Sequence, residues 1–222
     1  MIKNILFLVV LILSAVTAYA QSPAYTREKE WEKEIGAFLE IDKKQTPPAN
    51  AVLFTGSSSI RMWVSLREDF PKLNVINRGF GGSHFEDLVF FATKIVLPYR
   101  PKKIVVYSGE NDISSGQTTE NVLADFKAFL DFRDKDLPKT PVIYISMKPS
   151  VLRWAKWAEM KKGNDLIQAE SALHKNVRFV DISAQMLGTD GKPMPDLFLA
   201  DGLHMNAKGY AIWREILAPF LK

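Results

Sequence analysis

Apolar residues recur along the chain in two rhythms. At Trp31, Ile35, Phe38 and Leu39 they share one face of a helix expected over residues 26–43, with charged side chains between them. Further helical patterns cover residues 85–95, residues 119–133 with Val122, Phe126, Phe129 and Leu130 on one face, and roughly residues 151–174. A last helix begins near Asn206, whose side chain can cap its first amides, and runs to Leu221. Between the helices lie short, continuous apolar runs at 51–55, 73–77, 104–107, 142–146 and 177–180, which read as five buried strands. Fully apolar strands alternating with helices predict an α/β fold with a parallel sheet covered on both faces. Such sheets bind ligands beyond the carboxyl ends of their strands, so the residues that follow each strand are the ones to inspect for chemistry.

The amino terminus has a different pattern. Lys3 precedes a run of nine apolar residues, 5–13, which gives way to small residues and an Ala18-Tyr19-Ala20 ending. This is the layout of a secretory signal peptide over residues 1–20, and the apolar run is well short of the ~20 residues of a membrane-spanning helix. The expectation is a mature single domain of residues 21–222 beginning at Gln21, secreted or periplasmic, with no stable membrane insertion after cleavage. The 222 residues are 47% hydrophobic and 24% charged, which suits a full-sized core and excludes disordered, collagen-like and coiled-coil classes. A net charge of +4 is dispersed, with no basic run longer than two residues, so nucleic acid is not an expected partner. The chain has no cysteine, which excludes disulfides, a thiol nucleophile and acylation on cysteine.

Four loops at the predicted strand ends carry candidate chemistry. The first strand leads into Gly56-Ser57-Ser58-Ser59, where a serine on a tight strand-to-helix turn projects its hydroxyl over the sheet edge. By itself this segment reads more readily as a plain turn and helix cap, and the second glycine of a Gly-x-Ser-x-Gly elbow is absent. The second strand is followed by Gly79-Phe80-Gly81-Gly82-Ser83-His84, whose glycines admit close backbone approach to a ligand. Its spacing does not match Gly-x-Gly-x-x-Gly, so a dinucleotide cradle is a poor reading. The third strand ends in Ser108-Gly109-Glu110-Asn111-Asp112, and Asp201-Gly202-Leu203-His204 precedes the last helix. Of the three histidines, His84, His174 and His204, only His204 has an acid placed to share its turn. Together the loops supply the parts of an acyl-transfer site. Ser58 can attack a carbonyl, His204 can take its proton and Asp201 can orient the imidazole. The N–H groups of Ser58 and Gly82 and the Asn111 side-chain amide are donors suited to an oxyanion hole.

In these four ordered blocks the chain resembles the SGNH hydrolases of the GDSL esterase/lipase superfamily, and in particular their small platelet-activating-factor-acetylhydrolase-like members. The blocks span about residues 51–221. The resemblance implies a three-layer α/β/α sandwich, flavodoxin-like, around a five-stranded parallel sheet. It also implies Ser58 as nucleophile, Asp201 and His204 as the rest of the triad, and Ser58, Gly82 and Asn111 as the oxyanion hole, with no cofactor and no metal. Two positions depart from the family pattern: Ser57 and Ser83 stand where acids are usual, which bears on how the two oxyanion loops are held.

The expected function is an exported carboxylic-ester hydrolase working through an acyl-serine intermediate, acting on short acyl groups of a small-molecule or glycan ester. Alternatives within the same site are a thioesterase or lysophospholipase. A carbohydrate-binding protein without turnover is opposed by the intact Ser58, Asn111 and His204. A metal hydrolase on Asp112, Asp201 and His204 rests on a weak zinc pattern, one histidine beside two acids in separate loops. Residues 147–157, with Lys148, Arg153, Trp154 and Trp157, are placed to roof the cleft, although packing is the commoner role for each Trp.

Overall fold

The structure, a computed structural model, describes residues 25–222. The expected signal peptide over residues 1–20 lies outside the described residues. Five strands, β1 (Val52–Gly56), β2 (Val75–Gly79), β3 (Lys103–Tyr107), β4 (Val142–Ile145) and β5 (Val177–Val180), form one sheet in the order β2-β1-β3-β4-β5, every pair parallel. The helices are α1 (Glu28–Lys44), α2 (Ser58–Arg61), α3 (Leu66–Asp69), α4 (Phe85–Ile95), α5 (Glu110–Ser114), α6 (Thr119–Asp136), α7 (Trp157–Ala172) and α8 (Ala207–Leu221).

Side chains of alternate strand residues enter opposite layers, as the pleat requires. Leu53, Ile104, Val106, Val142 and Tyr144 join a core with α1, α4, α6 and α7, while Val52, Phe54, Val105, Tyr107, Ile143 and Ile145 pack against residues of α2, α3 and α8. This is the expected three-layer sandwich. Strand order reverses direction of growth at β1 and β3, and the crevice at that switch point is where the sheet offers its ligand site.

The main shifts from sequence expectation have local causes. β2 starts two residues later than its apolar run, because the Leu73 N–H turns back to the Phe70 carbonyl, and it extends through Arg78. That arginine is buried in the sheet with its guanidinium bonded to Asp42 of α1, to the Tyr99 hydroxyl and to its neighbour's carbonyl, so its charge did not mark a strand end. α7 starts at Trp157 rather than near Val151, since the Leu152 N–H donates to the Gly202 carbonyl (3.0 Å) and residues 151–156 form turns against the loop that carries His204.

Candidate active site

β1 ends at Gly56, which has φ of +118° and sits so close to β3 that a Cβ there would lie 1.9 Å from the Tyr107 carbonyl oxygen. Only glycine allows this crossing. The next amide, Ser57 N–H, bonds that same oxygen at 3.0 Å, and the chain turns directly into α2 with Ser58 in its first position. Ser58 is half-buried, whereas Ser57 and Ser59 are buried, so of the three consecutive hydroxyl residues it is the one most open to a ligand.

The His204 ring meets Ser58 from across the chain. Its Nε2 lies 3.0 Å from Ser58 Oγ, and its Nδ1 lies 2.6 Å from Asp201 Oδ2. The other Asp201 oxygen, Oδ1, accepts from the Leu203 and His204 N–H groups at 2.8 and 2.9 Å, which folds the four-residue turn around the carboxylate. Burial works to raise the Asp201 carboxyl, but the bonds from the His204 ring and the two backbone amides outweigh it and bring its pKa to about 2. The acid is ionised over any working pH. Asn206 begins α8 immediately afterwards, its side-chain oxygen accepting from the Lys208 and Gly209 amides.

Three donors lie in the segments that follow β1, β2 and β3. The Ser58 N–H occupies the first turn of α2, where a helix supplies no acceptor of its own. Gly82 is exposed at φ of +81°, and its N–H makes no hydrogen bond among the described residues. Asn111, in α5, donates one Nδ2 hydrogen to the Ser83 carbonyl at 2.9 Å, which ties the third block to the second and orients the amide. The Ser83 hydroxyl in turn donates to the Phe80 carbonyl at 3.0 Å, closing the glycine loop on itself. The serine thus braces this loop from within, at a position where the family pattern has an acid. The loop also has an outside support that the sequence did not signal: both carboxylate oxygens of Glu34, on α1, lie 3.3 Å from the Gly81 nitrogen, and Trp31 packs edge-on against Phe80.

Asp112, next to Asn111, is fully buried. Its Oδ1 accepts from the Phe85 N–H at 2.9 Å, anchoring the start of α4, while Oδ2 has no partner among the described residues. Burial, only partly countered by the Phe85 amide, raises its carboxyl to about 7. His84, the residue preceding α4, donates its backbone N–H to Asp87 and places Nδ1 3.3 Å from Gln117; burial lowers its pKa, assisted by the Arg27 charge. Among the described residues no group of three or more His, Asp or Glu side chains is placed to hold a metal ion.

The segment after β4 differs from the expected roof. Lys148 is buried beneath the site with Nζ 2.6 Å from Glu110 Oε2, and Arg153 Nη1 is 3.1 Å from Glu110 Oε1. The Tyr107 hydroxyl also donates to Glu110. Burial alone would raise the Glu110 carboxyl, but the two cations hold it below the ordinary carboxylate range. Trp157 packs on the core rather than over the cleft, and Trp154 stacks on it with centroids 6.3 Å apart. Glu110 was seen in sequence only as part of a turn; an acid flanked by Gly109 and Asn111 at a strand end carries no mark of a buried ion pair.

Residues 53–212 match the profile of the GDSL-like Lipase/Acylhydrolase family. The chain belongs to this family. As a GDSL-like acylhydrolase it is a carboxylic-ester hydrolase. A search of the curated proteins found no match. Solved structures share the fold of this acylhydrolase at low identity. A protein provisionally described as a platelet activating factor from Streptococcus pneumonia superposes with a TM-score of 0.78 at 22% identity, covering 87% of this chain and 94% of its own. An acetyl-xylooligosaccharide esterase mutant from Geobacillus Stearmophilus gives 0.61 at 15% identity, over 79% of this chain and 95% of its own. A carbohydrate esterase family 3 protein from Talaromyces cellulolyticus gives 0.62 at 17% identity, over 78% and 96%.

Proposed function

We propose that residues 21–222 form an exported serine esterase that removes short acyl groups, of acetyl type, from a polar or carbohydrate alcohol. In this reading Ser58 Oγ attacks the ester carbonyl while His204 Nε2 accepts its proton, and Asp201 holds the Nδ1–H and stabilises the imidazolium. The Ser58 and Gly82 N–H groups and the Asn111 amide receive the developing oxyanion. His204 then returns the proton to the departing alkoxide, and water, deprotonated by the same histidine, attacks the acyl-serine to release the acid and restore Ser58. Every step is carried by side chains and backbone amides of this chain.

The observation that carries the mechanism is the 3.0 Å approach of His204 Nε2 to Ser58 Oγ, with Nδ1 already on Asp201. Support for a short acyl group comes from the longest connection near the site, residues 181–206. Its apolar side chains Ile182, Met186, Leu197, Phe198 and Met205 are packed into the core, which leaves the exposed Leu199 too little company to form a lid over a long acyl chain. Beside the His204 loop lies an open depression of about 380 Å³ lined by Val151, Trp154, Asp190, Lys192, Met194 and Asp196 among others, which has the size, the aromatic face and the carboxylates to hold the hydroxyls of a sugar ring. The two esterases of similar fold named above act on carbohydrate, one of them on acetylated xylooligosaccharide. Export rests on the pattern of residues 1–20; no helix among the described residues is long and apolar enough to cross a membrane.

The test is labelling of the mature protein with a fluorophosphonate followed by peptide mapping, together with kcat/KM on p-nitrophenyl esters of increasing chain length. Label on Ser58, loss of hydrolysis in Ser58→Ala and His204→Ala, and rates that peak at acetate to butyrate are expected. Label on Ser57 or Ser59 would reject the mechanism, and rates rising toward dodecanoate would replace the substrate reading with a lysophospholipase. Mass spectrometry of secreted material should find Gln21 at its amino terminus; an intact Met1 form in the cytosol would reject export.

A further inference from the structure

The Glu110 carboxylate carries two cations, and only one of them is buried with it. The Glu110 and Lys148 side chains are 3% and 1% exposed, whereas Arg153 keeps 17% of its side chain open to solvent. A buried carboxylate with a buried ammonium 2.6 Å away is a neutral pair, so the three-residue cluster retains one positive charge, and that charge resides on the member that reaches water. A guanidinium offers five N–H donors in a fixed plane. Among the described residues Arg153 donates one hydrogen bond, to Glu110 Oε1 at 3.1 Å, and its other donors have no side-chain or carbonyl partner.

The placement of this charge follows from its two attachments. Leu152, its backbone neighbour, donates to the Gly202 carbonyl two residues before His204, and its guanidinium binds Glu110, the residue before Asn111. Arg153 therefore spans from the histidine loop to the block that carries the Asn111 amide. In the serine mechanism His204 protonates the departing alkoxide, so the alcohol half of an ester leaves beside the histidine loop, on which residues 151–152 pack.

We propose that Arg153 is a specificity-determining residue that binds an anionic group, a carboxylate or a phosphate, on the alcohol half of the ester. This rests on the reading of Ser58 and His204 as the ester-cleaving pair. Glu110 and Lys148 act as positioning residues: they hold the guanidinium plane in place before substrate arrives, so little side-chain freedom is lost on binding. The substrate chemistry that fits is an acylated sugar acid or an acylated alcohol phosphate.

The experiment measures acetate release from a mono-acetylated methyl glucuronide, from the matching methyl glucoside, which differs by one carboxylate, and from acetylglycerol phosphate. Wild type should favour the anionic esters, and added salt should shrink the preference. In Arg153→Gln the anionic-to-neutral ratio of kcat/KM should fall roughly 10- to 100-fold, mainly through KM, with Arg153→Lys in between and melting curves reporting the fold of each variant. Preference for the glucuronide or for the phosphate supports the anion site and assigns its source. Equal wild-type rates on glucuronide, glucoside and phosphate, or a ratio unchanged in Arg153→Gln, overturn it. If wild type cleaves none of these esters and no p-nitrophenyl ester, the esterase reading fails instead. The anion site is then decided by calorimetry, in which methyl glucuronide should bind more tightly than methyl glucoside, and no difference overturns it.

Discussion

Replacing Asp112 by asparagine should remove a pH dependence from the stability of the protein. The carboxyl is fully buried where the glycine loop after β2 enters α4, and burial lifts its pKa from 3.8 to about 7. For an acid with a raised folded-state value, the folded chain holds the proton between these two pH values while the unfolded chain has lost it. Stability from this group therefore falls as pH rises from about 4 to about 7 and is flat outside that window. Moving a carboxyl from 3.8 to about 7, at ~1.4 kcal/mol per pH unit, amounts to about 4 kcal/mol between pH 4 and pH 8. Asparagine keeps the acceptor for the Phe85 N–H and never ionises; its own amide hydrogens, placed where Oδ2 now lacks a partner, add a cost of about 1–3 kcal/mol that does not vary with pH. Asp125, also raised by burial to about 6, is present in both proteins and largely cancels in the comparison. Urea unfolding of both proteins at several pH values from 4 to 8 should show the variant losing least ground, or gaining most, at the alkaline end. A stability difference that stays constant within about 0.5 kcal/mol across that range would refute a proton held on Asp112 in the folded state.

The same site gives further expectations. On the proposed mechanism Asn111→Ala removes one oxyanion donor, and it also breaks the tie to the Ser83 carbonyl, so kcat should fall by ~10²–10³ while the fluorophosphonate label on Ser58 survives; Ser57→Ala and Ser59→Ala should retain much of the activity. Asp201→Asn removes a carboxylate that is ionised at any working pH, so activity should drop sharply and the acid limb of the rate profile should move to lower pH or flatten; an unaltered limb in Asp201→Asn and Asp201→Ala would take Asp201 out of the mechanism. Glu110→Ala leaves the buried Lys148 ammonium without its partner and should cost about 3–5 kcal/mol in chemical denaturation, whereas a loss under 1 kcal/mol would mean that water or another acid reaches Lys148.

How far the sequence led depended on how local the determining physics was. α4 spans Phe85–Ile95 and β5 spans Val177–Val180, the limits their patterns predict, because the apolar rhythm of each begins and ends with the element. Ser58, Asn111, Asp201 and His204 could be singled out because each follows a strand or precedes a helix, positions that a parallel sheet gathers at one edge; Ser58, His204 and Asp201 are in hydrogen-bond contact. Arg78 misled at β2, as did Val151 and Leu152 at α7, because the partners that decide their conformation lie tens of residues away, at Asp42 and at Gly202. Lys148 was placed on the roof for the same reason: a lysine at a strand end reads as solvent-facing unless the acid that neutralises it, here 38 positions earlier, is already known.

Ser58 and the histidine that meets it are 146 positions apart, and His204 precedes the chain's end by one short turn and α8. A serine hydroxyl without a base beside it is a poor nucleophile. On the proposed mechanism, any chain that ends before His204, or whose last segment is still undocked, would therefore carry an inert serine. The population that reacts with a covalent probe would be the population that has finished folding, so probe stoichiometry, read against total protein, counts native molecules one by one and turns the reaction into a gauge of maturation yield.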